Sequence, residues 1–241
     1  MRVSRIFTDQ PLSPGGEITL NEATARYIAQ VLRMRPGQTL RLFDGSGVDF
    51  EAELVRCDRR NGIVRVVRAA SHEPLPGLRL HLGIAISRGE RMDLAIQKSV
   101  ELGVGAITPL FTNRSVVQLK ADRLERRLTH WAGVIRSACE QSGRSRLPEL
   151  HPPATLPEWL EVHTDGLVLF HRAERSLADC PAPGETLNLL IGPEGGLSES
   201  ERELAFAKGF TAVRLGPRVL RTETAPIAAL AAIQVLWGDF R

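Results

Sequence analysis

The chain has 241 residues, 43% hydrophobic and 24% charged, with a formal net charge of +3; that is room for one large or two modest domains and the balance of an ordinary globular protein. No apolar run approaches the roughly 20 residues that span a bilayer, and the opening MRVSRIFTDQ lacks the apolar centre of a secretory signal. Three widely spaced cysteines, Cys57, Cys139 and Cys180, make neither a disulfide framework nor a metal-ligand spacing, so no membrane, no metal and a reducing cytoplasm are expected.

Arg2–Phe7 reads as a strand, and Pro11–Gly16 as a turn. Asn21 caps a predicted helix, NEATARYIAQVLRM, with Tyr27, Ile28, Val31 and Leu32 on one face and Pro36-Gly37 as its stop. Strands follow at Thr39–Phe43, Val48–Arg56 and Gly62–Ala69, with Arg59-Arg60-Asn61-Gly62 a hairpin signal. Short strands with one helix predict a small β-barrel over residues 1–72. This stretch holds 11 basic residues against 8 acidic, while the rest holds 20 of each. That excess permits a polyanionic partner without requiring one.

Ser71–Gly77 is the predicted linker, and the second domain spans 73–241. Strand–helix alternation begins there and predicts an α/β fold with a mostly parallel sheet. Its strands are Leu78–Ile86, Ala106–Phe111, Gly166–Phe170, Leu187–Ile191 and Ala212–Leu215. Its helices are Glu90–Leu102, a long one from Asp122 to Ser142, a short turn at Glu158–Val162, one opening at Ser198, and one from Pro226 to Trp237.

Two loops in this half share one grammar. Leu187–Ile191, apolar enough for a strand buried on both faces, runs into Gly192-Pro193-Glu194-Gly195-Gly196. Ser198 with Glu201 then forms a capping box. The result is a concave turn with backbone N–H groups facing inward. About twenty residues later Leu215-Gly216-Pro217-Arg218-Val219-Leu220-Arg221-Thr222-Glu223-Thr224 repeats the pattern before an apolar helix. Neither loop is a dinucleotide fingerprint or a P-loop, which excludes an ordinary dehydrogenase.

GPEGG followed by LGPRVLRTETA resembles the SPOUT class of S-adenosyl-L-methionine-dependent RNA methyltransferases, and within it the family that methylates N3 of a uridine in small-subunit (16S) ribosomal RNA. SRGERMD with QKSVELGV, Asn113-Arg114-Ser115 and the "EQSGR" turn at Glu140–Arg144 are similar to the same family. The resemblance implies an α/β-knot, with a C-terminal trefoil knot, preceded by a PUA-like RNA-binding β-barrel. It implies a homodimer acting on the assembled small subunit, with Ile227, Leu230, Ile233, Val235 and Leu236 of the last helix as candidate contacts or simply core.

For the cofactor it implies His171, Leu190, Ile191, Gly192, Pro193, Gly195, Gly196, Leu215, Gly216, Leu220 and Thr222. For catalysis it points to Arg221 steadying a uridine anion, with Arg218 as the alternative arginine and Glu223 or Glu194 as a base. Residue type alone does not separate the two carboxylates. For RNA the candidates are Arg2, Arg5, Arg26, Arg33, Arg35, Arg88, Lys98, Arg114, Arg144 and Arg146, since a guanidinium fork matches phosphate oxygens. Solvated surface arginines, a Lys98–Glu101 ion pair and helix capping by Arg144 are the structural alternatives. Ribose or transfer-RNA methylation, and a non-catalytic assembly factor that binds RNA, remain open as functions.

Overall fold

A computed structural model describes residues 3–115 and 121–240. The chain forms two compact units, Met1–Leu75 with Cys139–Leu147, and Pro76–Ala138 with Pro148–Arg241.

The first unit is a five-stranded sheet of β1 (Arg5–Phe7), β2 (Glu17–Leu20), β3 (Thr39–Phe43), β4 (Val48–Cys57) and β5 (Gly62–His72). Its order is β1-β3-β4-β5-β2, with only the β1–β3 pair parallel. Register shifts between β4 and β5 bend the two long strands, as bulges do. They curl around a core that includes Ile6, Leu40, Leu42, Leu54 and Val64. The Gln10 side chain reaches the β2 edge, donating to Thr19 O at 2.7 Å. The β4–β5 hairpin turns where Asp58 Oδ1 accepts from the backbone of Arg60 and Asn61.

β2 is absent from the sequence reading, although its burial alternates cleanly. The predicted helix is shorter than its apolar residues suggest. α1 covers Glu22–Arg26 behind the Asn21 cap, and a π turn takes over at Tyr27–Val31. Its wider i→i+5 bond, Leu32 N to Tyr27 O, rotates the face. Ile28 is wholly buried, whereas Tyr27 and Val31 are exposed.

The second unit is a parallel sheet of seven strands: β6 (Arg79–Ala85), β7 (Ala106–Phe111), β8 (Glu149–Leu150), β9 (Ala154–Thr155), β10 (Gly166–Leu169), β11 (Thr186–Ile191) and β12 (Phe210–Val213). The order is β12-β10-β11-β6-β7-β8, with β9 also on β7. The helices are α2 (Glu90–Glu101), α3 (Ala121–Ser142), α4 (Leu156–Val162), α5 (Glu199–Ala207) and α6 (Thr224–Trp237). The last turn of α3 clusters with the first unit. α3 begins one residue before the expected cap, Asp122.

β11 lies between β10 and β6, and Leu189, Leu190 and Ile191 are buried in succession, as expected of a strand covered on both faces. Gly83 in β6 leaves room for a tryptophan; a Cβ there would meet the Trp159 ring at 2.8 Å. Sequence reasoning misplaces β12 by two residues. Gly209, at φ 89°, makes the turn that starts it, so Leu215 falls in the following loop.

Candidate active site

Because β12, β10 and β11 are parallel neighbours, their carboxyl ends lie side by side, where open α/β sheets bind ligands. A cavity of about 460 Å³ opens there, within the range of small-molecule sites. Leu169, Phe170 and His171 line it from the end of β10, Ile191–Glu194 from the end of β11, and Val213–Leu215 from the end of β12. Arg218–Glu223 close it from the loop before α6, Ala225 from the first turn of α6, and Arg91 from α2.

Local bonds explain how each wall is held. In the first loop Gly196 N donates to Pro193 O at 2.8 Å, and a Cβ on Gly192 would meet Leu197 at 3.0 Å. The capping box is formed: Ser198 N donates to Glu201 Oε2 at 2.7 Å, and Glu201 N to Ser198 Oγ at 3.2 Å. The other Glu201 oxygen accepts from Asn113 N at 2.7 Å. Arg114 Nη1 donates to Gly195 O at 2.9 Å, so the loop after β7 braces the GPEGG turn. In the second loop Arg221 O accepts from the backbone N–H groups of Thr224 and Ala225, starting α6.

The two carboxylates differ. Glu194 accepts from Arg91 Nη1 at 3.1 Å in a pair that is one-half exposed at the arginine and one-third at the glutamate. Glu223 Oε2 is buried with no hydrogen-bond partner among the described residues, although a buried carboxylate oxygen left unpaired is costly. Four arginines, Arg91, Arg214, Arg218 and Arg221, line the same space, so the cavity is net positive.

Of the residues expected at the cofactor, His171, Ile191, Gly192, Pro193, Leu215, Leu220 and Thr222 line the cavity; Leu190, Gly195, Gly196 and Gly216 do not. Leu190 points into the hydrophobic core with Trp159 and Phe210, and Gly195 and Gly196 shape the turn behind the lining. All three candidate catalytic residues, Arg221, Glu223 and Glu194, border the cavity. Missed were Leu169, Phe170, Val213, Arg214, Ala225 and Arg91. The strand-end residues carry one available signal, the rule that parallel strands bind ligands at their carboxyl ends, but using it requires the strand order.

A family profile described as an RNA methyltransferase domain matches residues 73–234, and one described as an RNA methyltransferase PUA domain matches residues 20–67. A ribosomal RNA small subunit methyltransferase E from Buchnera aphidicola is 34% identical over 99% of this chain and 98% of its own length. The chain belongs to the ribosomal RNA small subunit methyltransferase E family. A member from Neisseria gonorrhoeae, crystallised with S-adenosyl methionine, superposes with a TM-score of 0.93 at 38% identity, covering 100% of both chains. A methyltransferase from Legionella pneumophila in complex with the same cofactor gives a TM-score of 0.96 at 37% identity, again over 100% of both. The expected class, an α/β fold with a mostly parallel sheet behind a PUA-like domain, is that of this family.

In a member of an RNA-methylating family, surface arginines are natural phosphate contacts, and the structure sorts the candidates. Arg5 is removed from them. Its side chain is 13% exposed and is spent internally, on Asp49 (2.7 Å), Cys139 O (2.9 Å), Arg144 O (3.1 Å) and Ser145 Oγ (3.0 Å). Arg146 Nε donates to Glu73 O at 3.2 Å, and Arg144 Nε lies 3.7 Å from Glu73 Oε1; both arginines are largely committed within the first unit. Thus EQSGR with Arg146 is a clasp on the barrel. Lys98 forms the expected pair with Glu101 at 2.8 Å, and Arg26 pairs with Glu22. Arg33, Arg35 and Arg88 are exposed, as is Arg114 beyond its bond to Gly195. Arg2 lies outside the described residues.

Proposed function

We propose that this chain transfers a methyl group from S-adenosyl-L-methionine to N3 of a uridine in small-subunit (16S) ribosomal RNA. The observation that carries the reading is the cavity built from the two glycine loops, with the unpaired Glu223 oxygen buried beside exposed Arg221. Its volume, its apolar strand-end walls (Leu169, Ile191, Val213) and its backbone-rich turns suit a nucleoside carrying a short polar tail.

Backbone groups of Ile191–Pro193 and Leu215–Leu220, with Thr222, would hold the cofactor. When bound, it supplies a methyl group on a positively charged sulfur. Uridine N3 carries an imide proton and is a poor nucleophile until that proton leaves. Glu223 Oε2 accepts it, and the N–H electron pair becomes the nitrogen nucleophile. Arg221 donates to the pyrimidine oxygens O2 or O4, where negative charge develops. The new bond is N3–CH3; the bond broken is S–CH3, with its electron pair left on sulfur.

The target base must be unstacked to enter the cavity, and the substrate is the small subunit in assembled form, in the cytoplasm. The protein acts as a homodimer. Leu230 and Ile233 of α6 are fully buried and Ile227 is half-buried, so Val235 and Leu236, both exposed, are the strongest self-association candidates on that helix. Val235→Glu with Leu236→Glu is expected to yield monomers by analytical ultracentrifugation; an unchanged mass would refute this surface.

The deciding experiment is nucleoside mass spectrometry of 16S ribosomal RNA from a deletion strain. Loss of N3-methyluridine, restored by the wild-type gene and not by Glu223→Gln, is the expected result. Loss of a ribose-methylated nucleoside instead would refute the reading.

A further inference from the structure

Arg202 touches one wall of the cavity and the residue that follows the GPEGG turn, without lining the cavity itself. Its guanidinium carbon sits 5.0 Å from the centroid of the Phe170 ring, within cation–π range. Its Nη1 donates at 2.7 Å to Leu197 O, the carbonyl that follows GPEGG. Phe170 lines the cavity, and its ring meets that of His171, another lining residue, edge-on at 5.5 Å. The three side chains therefore make a chain of contacts, Arg202–Phe170–His171, anchored at its outer end to the carbonyl that follows the glycine turn.

The demands of α5 do not account for an arginine there. The helix is already capped by Ser198 and Glu201, and Arg202 is its fourth residue. A cation that close to the amino end opposes the helix dipole. Its stem and charge are instead directed to the ring and to the loop carbonyl.

We propose that Arg202 is a positioning residue for the cofactor: it backs the Phe170–His171 wall, ties it to the GPEGG turn, and so sets the spacing between the two surfaces that grip the methyl donor. This rests on the reading that the cavity holds S-adenosylmethionine. Arg202→Met keeps the stem over the ring and removes the charge and the donors. Arg202→Lys keeps the charge and a donor but loses the planar guanidinium fork.

The test is calorimetric titration with S-adenosylmethionine, with steady-state kinetics on small subunits and melting temperatures, for Arg202→Met, Arg202→Lys, Phe170→Leu, the Arg202→Met/Phe170→Leu pair and Leu215→Trp. Arg202→Met is expected to raise Kd and KM for the cofactor about three- to tenfold, with kcat at saturation and the KM for the subunit unchanged. Arg202→Lys should recover part of the loss. Adding Arg202→Met to Phe170→Leu should weaken binding less than it does in the wild type, because the ring it acts through is gone. An unchanged cofactor KM, or equal loss in both backgrounds, would overturn the proposal. Leu215→Trp separates the two claims. If it abolishes binding while Arg202→Met does nothing, the cavity reading stands and the role of Arg202 falls. If it leaves binding intact, the ligand sits elsewhere and both fall.

Discussion

Glu194 and Glu223 bring the same functional group to one cavity and meet different surroundings. Glu194, exposed and paired with the Arg91 guanidinium, already has a donor. A buried oxygen with no donor is satisfied by any N–H that arrives, and the imide of uridine presents one. Glu223→Gln is therefore expected to lower kcat by about a hundredfold or more, the contribution of a positioned base, while calorimetry shows cofactor binding retained. Glu194→Gln should stay within a few-fold of wild type. The reverse pattern would assign the base to Glu194. Residue type and loop grammar made both glutamates visible in the sequence, because GPEGG and RTET are local patterns. What separated them was not local: Arg91 is over a hundred positions from Glu194 in the chain, and no spacing rule pairs them. Phe170 and Val213 were invisible for a related reason. They look like ordinary strand residues until β10 and β12 are known to be neighbours.

At the scale of elements, strong local signals gave the right structure and weak ones did not. The capping box read at Ser198 starts α5, and the continuous apolar run of β11 lies at the centre of its sheet; the capping box at Thr155 went unread, and α4 starts two residues before the expected Glu158. β8 and β9 are two residues each, too short for a period to register, and they exist because β7 offers a free edge. The π turn after α1 follows from packing Ile28 into the barrel, which propensity does not encode. Gly83 shows the same limit. A glycine inside a strand pattern signals close approach of another group, but only the structure names Trp159 as that group. Gly83→Ala places a methyl within 2.8 Å of that ring, where overpacking costs about 1–3 kcal/mol. Urea unfolding should show that loss for Gly83→Ala. An unchanged midpoint would mean the ring moves aside freely.

Across the whole molecule, the least legible feature is the assignment of 139–147 to the first unit. It depends on contacts such as Ser145 Oγ to Asp49 Oδ1 at 2.7 Å, 96 positions apart, between residues that are unremarkable alone. Global stability carries a comparable hidden term in the second unit. His81 donates to or accepts from Thr108 Oγ1 at 2.8 Å, stacks on His151 at 5.1 Å and meets His163 edge-on at 4.3 Å. Burial, with His163 and His151 adding to it, pushes the His81 pKa down from 6.5 to about 3. The folded chain thus leaves this imidazole neutral while the unfolded chain protonates it below about pH 6.5. The unfolded state binds more protons across that window, so stability is full above pH 6.5 and is lost as pH falls toward 3, with a limiting slope of about 1.4 kcal/mol per pH unit. All three tryptophans, Trp131, Trp159 and Trp237, lie in the second unit, so their fluorescence follows its unfolding alone. Between pH 6.5 and 5, where few carboxylates titrate, the wild type should lose stability to urea faster than His81→Gln, which can still bond to Thr108 but cannot take up a proton. Equal slopes for the two proteins would show that the imidazole is not the group responsible.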